Sequence, residues 1–423
     1  AAKRAKTRRG AKGLTGVMVF AFFIDDFFHS LSVGAICRPV TDRFQISRAK
    51  LAYLLDSTAA PVCVLMPISS WGAYIIALIG GIMAAHGISE QSPISAFVEM
   101  IPMNLYAVFT LLMVLVVIIF QMDIGPMRKH EAWALEGKLW DPSKPRPIGL
   151  DMESPEESNG GMIDMVLPIL TLTGATVYFM ISSGAAVLDE KGLPFSVLGS
   201  FENTNVGSSL VYGALCSLAV SIVLALRLKL GAKNWLKAAP QGVMAMLPAI
   251  NILLFAWAIG AVVRDVETGK YLASLANGNL PMEVLPAVVF VLSCAMAFAT
   301  GTSWGTFGIM LPLAGDMAAA SDIALMLPML AAVLAGSVFG DHSSPISSTS
   351  ILSATGAGCH HIDHVMTQLP YALAIAFGAT LGYLAMGIMH STLAGFAVSA
   401  LWFVLFTAYH LRKTKNQPLL ATA

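Results

Sequence analysis

Four acidic side chains, Asp25, Asp26, Asp56 and Asp341, stand in or at the edge of long apolar runs. A charge at the centre of a membrane helix costs about 2.5–3.5 kcal/mol on insertion scales, so a residue kept there has a function or a dedicated partner. A helix cap or an arginine pair would account for Asp25 or Asp56. Asp341 is harder to explain that way, because Ser343, Ser344, Ser347, Ser348, Thr349 and Ser350 follow it and Pro345 interrupts the backbone among them. Carboxylates, hydroxyls and freed carbonyls are hard oxygen ligands, suited to hard cations rather than soft metals. Burial disfavours the charged form of a carboxylate. An acid in a dry site can therefore hold a proton and release it when a cation takes the same oxygens. Asp341 is the first candidate for that carboxylate and Asp26 the second, with no cofactor required.

Other groups invite competing readings. Thr300–Thr306 is a Gly/Thr/Ser-rich stretch, too polar and too small-residued for a continuous span, and is expected to break a helix and expose carbonyls toward a cavity. Small-residue helix packing is the plainer alternative. Cys359, His360, His361 and His364 include an i, i+4 histidine pair that would suit a zinc ion. The favoured reading is that they lie at a membrane boundary, hydrogen-bonded and sensitive to pH. Asp341-His342-Ser343 contains the residue types of a hydrolytic triad, but sequence neighbours do not make a triad geometry, and an enzyme is not expected. An organic-anion exchanger would need a cation facing the substrate, for which Arg38 or Arg43 is available.

The elements that would position these groups are membrane helices. The chain has 423 residues, 56% hydrophobic and 12% charged, against about a quarter charged in soluble domains. Apolar runs such as Leu105–Phe120, Met165–Ala186, Ser208–Leu226, Val284–Ala299 and Tyr371–Met389 approach or reach the roughly 20 residues that cross a bilayer. The expected fold is an all-α polytopic membrane protein with about ten to twelve spans, some broken. Lysine plus arginine balance aspartate plus glutamate at 25 each, which gives no reason to expect a nucleic-acid partner. Basic clusters at residues 1–13, at Arg227–Lys237 and at Arg412–Lys415 mark the cytoplasmic side, and the inner (plasma) membrane is the expected location.

Residues 124–160 read as a hydrophilic cytoplasmic linker between a first membrane region, 1–123, and a second, 161–411, with a tail at 412–423. One conflict stands: Arg38, Arg43, Arg48 and Lys50 fall where a simple count of spans places the outside, unless a hairpin or broken helix precedes them. The two halves share an order of features, from Asp26 through Ser30, Ser32 and Gly34 to Asp42, and from Asp341 through Ser344, Ser347 and Gly356 to Asp363. Duplication with unwound polar segments is how many transporters build a midplane site between inverted repeats. On that register the second half has over a hundred more residues before its aspartate. A missing N-terminal portion of about a hundred residues, holding the partner of Thr300–Thr306, is the corresponding expectation.

The segments "FIDDFF" to "SVG", "RPVTDRFQISRAKLAYLLDSTAAPVCVLMPISSWGAY", "GTSWGTFGI" and "FGDHSSPIS" to "HIDHVMTQLPYAL" resemble the NhaC family of sodium/proton antiporters, over nearly the whole chain. The resemblance implies inverted repeats with broken helices or re-entrant hairpins, with sodium and protons as cargo. It implicates Asp26, Ser30, Asp42, Arg43, Asp56, Ser57 and Thr58 in the first half. In the second it implicates Thr302, Ser303, Trp304, Gly305, Thr306, Asp341, His342, Ser344, Pro345, Ser347, Thr349, His364, Thr367 and Gln368. Asp363 joins the supporting set from its place in the second polar loop. Ser348 stands where the family usually has aspartate, Ser350 where it has a second threonine and His29 where asparagine is common. The same family includes exchangers that couple sodium and protons to organic acids such as malate and lactate, which is the alternative function. Sodium, protons and the lipid bilayer are the expected partners, with a homodimer as a further option.

Overall fold

The computed structural model describes residues 7–147 apart from 68, 89 and 90, residues 162–228, residues 281–416 and scattered positions between 240 and 266. All regular elements among the described residues are helical, as hydrocarbon demands of a chain that must satisfy its backbone hydrogen bonds internally. Among the described residues six helices are long and apolar enough to cross a membrane, or seven if the pair α5 (Pro93–Met100) and α6 (Leu105–Phe120), bent by 48°, is one span. That is fewer than the ten to twelve spans expected from sequence; Ser70–Ala85 is a further apolar helix but a shorter one. The protein is a multi-pass membrane protein.

The chain divides into two compact units. The smaller contains α8 (Met162–Glu190), α9 (Val197–Glu202) and α10 (Val206–Arg227). Here α8 and α10 pack against each other where Gly213 meets Thr176 and Ser217 Oγ donates to the Pro168 carbonyl at 2.9 Å. All other helices discussed below belong to the larger unit, apart from Gly72–Tyr74 near the start of α4.

In the larger unit α1 (Arg8–Phe22) and α2 (Asp26–Arg43) form a hairpin. Its open ends meet on one residue of α7 (Pro126–Leu135): Glu131 accepts from Arg8 at 2.7 Å, from Lys12 at 3.3 Å and from the Ser47 backbone N–H at 2.9 Å. The chain therefore enters and leaves on the linker side. This removes the conflict over the bases of residues 38–50, which lie at the same end as the basic N-terminal region. Two of them are engaged there: Arg48 grips Asp42 through two bonds of 2.7 Å, and Lys50 pairs with Asp123 at 2.6 Å.

A second hairpin, α11 (Leu285–Thr300) and α12 (Ser303–Ser321), turns at Gly301, whose φ is +67°. A β-carbon there would lie 2.5 Å from the Ile346 carbonyl oxygen, so the turn needs glycine for both its angle and its neighbour. Its open ends reach the C-terminal end of α15 (His361–Met389): Glu283 abuts Gly387, and Asp322 faces His390 at 3.7 Å. The N-terminal end of α15 lies instead by the linker, where Lys144 pairs with Asp363 and His360 Nε2 contacts the Pro145 carbonyl at 2.9 Å. The two hairpins thus open toward opposite ends of the molecule.

Each hairpin is followed by a broken helix. On the first side α3 (Arg48–Cys63) gives way to α4 (Ser70–Ala85). On the second α13 (Met326–Ser343) gives way to α14 (Ser348–Ala357) across a break containing Pro345. α3 starts at the linker end and α14 finishes there, where Arg48 donates to the Ala357 and Gly358 carbonyls at 3.1 and 3.3 Å. The repeat is inverted, but its register differs from the one read in the sequence. Asp26 opens the second arm of a hairpin, whereas Asp341 lies near the end of the first piece of a broken helix. By element, Asp26 matches Ser303, and the counterpart of the Thr300–Thr306 tip is the Phe23–Asp26 tip.

α7 lies in the linker stretch, outside the spans. Burial alone would raise the Glu131 carboxyl, but Lys12, Lys50 and Arg8 override it and hold it at about 2. A depressed carboxylate contributes stability above its unfolded value of 4.5 and loses it as pH falls from there toward about 2. Glu131→Gln leaves Lys12 buried without its charge partner and should lower stability by about 3–5 kcal/mol. Thermal unfolding in detergent at neutral pH measures this, and an unchanged midpoint would remove Glu131 as the clamp of the first hairpin.

Candidate functional site

The polar groups converge where α14 begins. Ser347 caps this helix by accepting from the Ser350 N–H at 3.3 Å, and its own hydroxyl donates to Asp341 Oδ1. Two residues on, Thr349 Oγ1 donates to Asp26 Oδ2 at 3.0 Å, and Ser350 Oγ donates to Asp56 Oδ2 at 2.8 Å. One helical turn thereby reaches carboxylates on α13, α2 and α3. All three acids are buried, with exposures of 3% for Asp341, 2% for Asp26 and 0% for Asp56. The turn sits at a helix N-terminus, whose partial positive charge favours carboxylates nearby.

The hairpin tips complete the cluster. Ser303, first residue of α12, places Oγ 2.9 Å from Asp341 Oδ2 and 3.0 Å from the Ser337 carbonyl, with its N–H 3.4 Å from the same carboxylate oxygen. At the other tip Asp25 caps α2 by accepting from the Phe28 N–H at 3.0 Å. Ser70, first residue of α4, bonds this tip through its N–H to the Ile24 carbonyl at 2.8 Å. Trp71 Nε1 donates to Asp26 Oδ1 at 3.1 Å while its ring packs edge-on against Trp304 and Phe307 of the opposite hairpin. Each half's second broken piece therefore starts on its own hairpin tip and reaches across to the other half.

The candidate residues separate into groups. Asp341, Asp26, Ser347, Thr349 and Ser303 meet in one place. Ser30 lies beside them, its hydroxyl 3.0 Å from Ser353 where α2 crosses α14. Ser344 and Thr306 donate to backbone carbonyls, of Phe298 at 2.7 Å and of Thr302 at 3.1 Å, and Thr302 starts the α12 turn. Pro345 sits in the break, where its carbonyl faces His361 Nε2 at 2.6 Å. Asp42, Arg43 and Asp363 lie at the linker-side end, away from the cluster. Asp56 is no helix end: it lies within α3 and binds Ser350, His364 Nε2 at 2.9 Å and Gln368 Nε2 at 2.7 Å. Trp71 and Tyr106, whose hydroxyl is 2.7 Å from His342 Nδ1, were not among the sequence candidates. Nothing in the spacing of Tyr106 points to His342, which is 236 residues away.

The competing readings lose their geometry. His342 faces Tyr106 and, at 3.1 Å, Ser57, while Ser343 donates to the Phe339 carbonyl, so Asp341, His342 and Ser343 form no triad. His360, His361 and His364 contact Pro145, Pro345 and Asp56 respectively, and among the described residues no group of three His, Cys, Asp or Glu could hold a metal ion. Arg43 is exposed, and Arg38 lies twelve residues along α2 from Asp26, about 18 Å at 1.5 Å per residue.

The family model described as "Na+/H+ antiporter family" matches residues 62–388. An uncharacterised protein of Haemophilus influenzae is 53% identical over 406 residues, covering 96% of this chain and 76% of that protein. The malate-2H(+)/Na(+)-lactate antiporter of Bacillus subtilis is 31% identical over 157 residues, 36% of this chain and 32% of its own length. An uncharacterised Na(+)/H(+) antiporter of Haemophilus influenzae is 29% identical over 142 residues, 32% of this chain and 30% of its own. No solved structure matches.

The site depends on backbone contact between α2 and α14. A β-carbon on Gly356 would lie 2.4 Å from the Ser30 carbonyl oxygen, and one on Gly34 2.6 Å from the Gly356 carbonyl carbon. Gly356→Ala should wedge the helices apart and destabilise the protein by about 1–3 kcal/mol. Gly81→Ala, with nothing within 4 Å of its β-carbon, should not lower the melting temperature. Equal melting temperatures for the two variants in detergent would show that the crossing does not need to be this close.

Proposed function

Since the chain belongs to the Na+/H+ antiporter family, we propose that it exchanges sodium for protons through a site shared by both ions at Asp341 and Asp26. The observation that carries this reading is the single turn Ser347–Thr349, which holds both carboxylates where two oppositely opening hairpin tips meet. Carboxylate and hydroxyl oxygens from Asp341, Asp26, Ser347, Thr349 and Ser303 provide hard donors for sodium. A proton on either carboxylate takes away one of the two negative charges and occupies an oxygen the cation would use, so proton and sodium compete. Burial favours the protonated state when sodium is absent. A small displacement of the first tip would open the cluster toward the linker side, and of the second toward the opposite side. Antiport follows if only a loaded site, with proton or sodium, can change sides. The inner (plasma) membrane is the setting in which this exchange would operate.

Organic-acid exchange is the less supported reading. A substrate carboxylate needs a facing cation, and Arg43 is exposed, Arg38 remote, and Arg48 already bound to Asp42.

Two measurements in vesicles containing the purified protein test the proposal. Asp341→Asn and Asp26→Asn should each reduce sodium-driven pH change to the level of protein-free vesicles while the protein remains folded, because an amide neither carries the proton nor neutralises the cation. Full exchange by Asp341→Asn would remove it from the mechanism. In the parent, apparent sodium affinity should weaken by about tenfold per pH unit below the pKa of the shared site and level off above it. Affinity independent of pH would mean that the ions bind separately, and transport of labelled malate or lactate would favour the organic-acid reading.

A further inference from the structure

Asp56 has a lopsided environment. Its Oδ2 receives Ser350 Oγ, His364 Nε2 and Gln368 Nε2, whereas its Oδ1 is buried without a hydrogen-bond partner. The same is true of His364 Nδ1 and Gln368 Oε1. With Asp56 ionised, the His364 proton must be on Nε2, which makes Nδ1 an acceptor, and the Gln368 amide has its N–H groups turned to Asp56 and to the His342 carbonyl. All three unpartnered atoms are thus acceptors. A buried cluster of three directly bonded side chains from α3 and α15 lacks donors and carries a net negative charge, in surroundings where each unmet acceptor costs about 1–3 kcal/mol. What such a cluster lacks is a proton.

We propose that Asp56, His364 and Gln368 form a second proton-binding site, separate from the sodium site at Asp341 and Asp26. The proton comes from water and binds at Asp56 Oδ1 or His364 Nδ1. No other bond forms or breaks, and the pair passes from a net charge of −1 to neutral. The titratable groups acting on Asp56 are His364 on α15, Asp341 and His342 on α13, His29 on α2, Tyr106 on α6 and His361 at the start of α15. Asp56 forms its hydrogen bonds with Ser350, His364 and Gln368, none of them among the five residues assigned to sodium. It is bonded, though, to Ser350 on the same helical turn as Ser347 and Thr349. Its charge therefore bears on how that turn is held, and so on the rate of the cycle, without competing for the sodium oxygens. This consequence rests on the exchange reading, while the proton site itself does not.

Infrared difference spectra between acid and alkaline pH test the site without transport. In the Asp26→Asn/Asp341→Asn background, adding Asp56→Asn and His364→Asn should remove one carboxylic-acid or imidazolium component, seen by subtracting the fourfold variant's difference spectrum from the twofold variant's. Identical difference spectra from the twofold and fourfold variants overturn the site. In the transporting protein, Asp56→Asn should flatten the pH dependence of maximal rate at saturating sodium and retain the pH competition on apparent sodium affinity. His364→Asn provides the same test if Asp56→Asn fails to fold. Loss of the sodium–proton competition in either variant would place Asp56 in the sodium site and overturn its separateness. A parent that titrates in the infrared but moves no protons against sodium would fail only the exchange reading.

Discussion

Three buried carboxylates on three different helices receive one hydroxyl each from Ser347, Thr349 and Ser350. Carboxylates cannot be left in a dry interior without donors or counter-charges, so α13, α2 and α3 are obliged to converge on the start of α14. This turn is available because the preceding backbone is broken at Pro345, which frees a helix N-terminus inside the protein. A continuous helix would have had its N–H groups bonded to the turn before, and its serines would have pointed along three directions of a closed rod.

The constraint explains why the hairpins turn back. Asp25 and Ser303 stand at the first turns of α2 and α12, where a reversed chain has its own unsatisfied N–H groups. The returning arms need anchorage at their open ends. On the linker side it is ionic: Arg8, Lys12 and Ser47 meet Glu131, Lys50 meets Asp123, and Arg48 meets Asp42 together with the last carbonyls of α14. At the far side Glu283 and Asp322 lie against the end of α15. The polar ends and polar tips are separated by apolar helix, so each hairpin has an anchored base and a tip held by a few hydrogen bonds.

Close approach of backbones makes these bonds feasible. Gly34 and Gly356 let α2 and α14 touch, and Gly301 lets the second hairpin tip press on Ile346. In a membrane, where association cannot draw on expelling water, small residues at crossings give helices their contact area. The hydroxyls of Ser30 and Ser353, 3.0 Å apart at the same crossing, add a polar bond where the helices are nearest.

The amino-acid sequence by itself determined the membrane setting, the break at Pro345, the break at Thr300–Thr306 and the prominence of Asp341 and Asp26, because hydropathy, proline and intramembrane charge act locally along the chain. Asp42, implicated by the family resemblance, and Asp363, by its place in the second polar loop, lie instead at the linker-side end. Tertiary structure alone decided the repeat register, because Asp26 and Asp341 occupy different elements despite similar residues after them. It also moved Asp56 from the end of a helix to the middle of a buried cluster, through partners such as His364 and Gln368 that are 308 and 312 residues away. The bases of residues 38–50 looked misplaced when spans were counted in order. A chain that reverses inside the membrane returns to the side it came from, and whether it reverses or crosses is decided by what its two ends can bond, here Glu131 at one shared point.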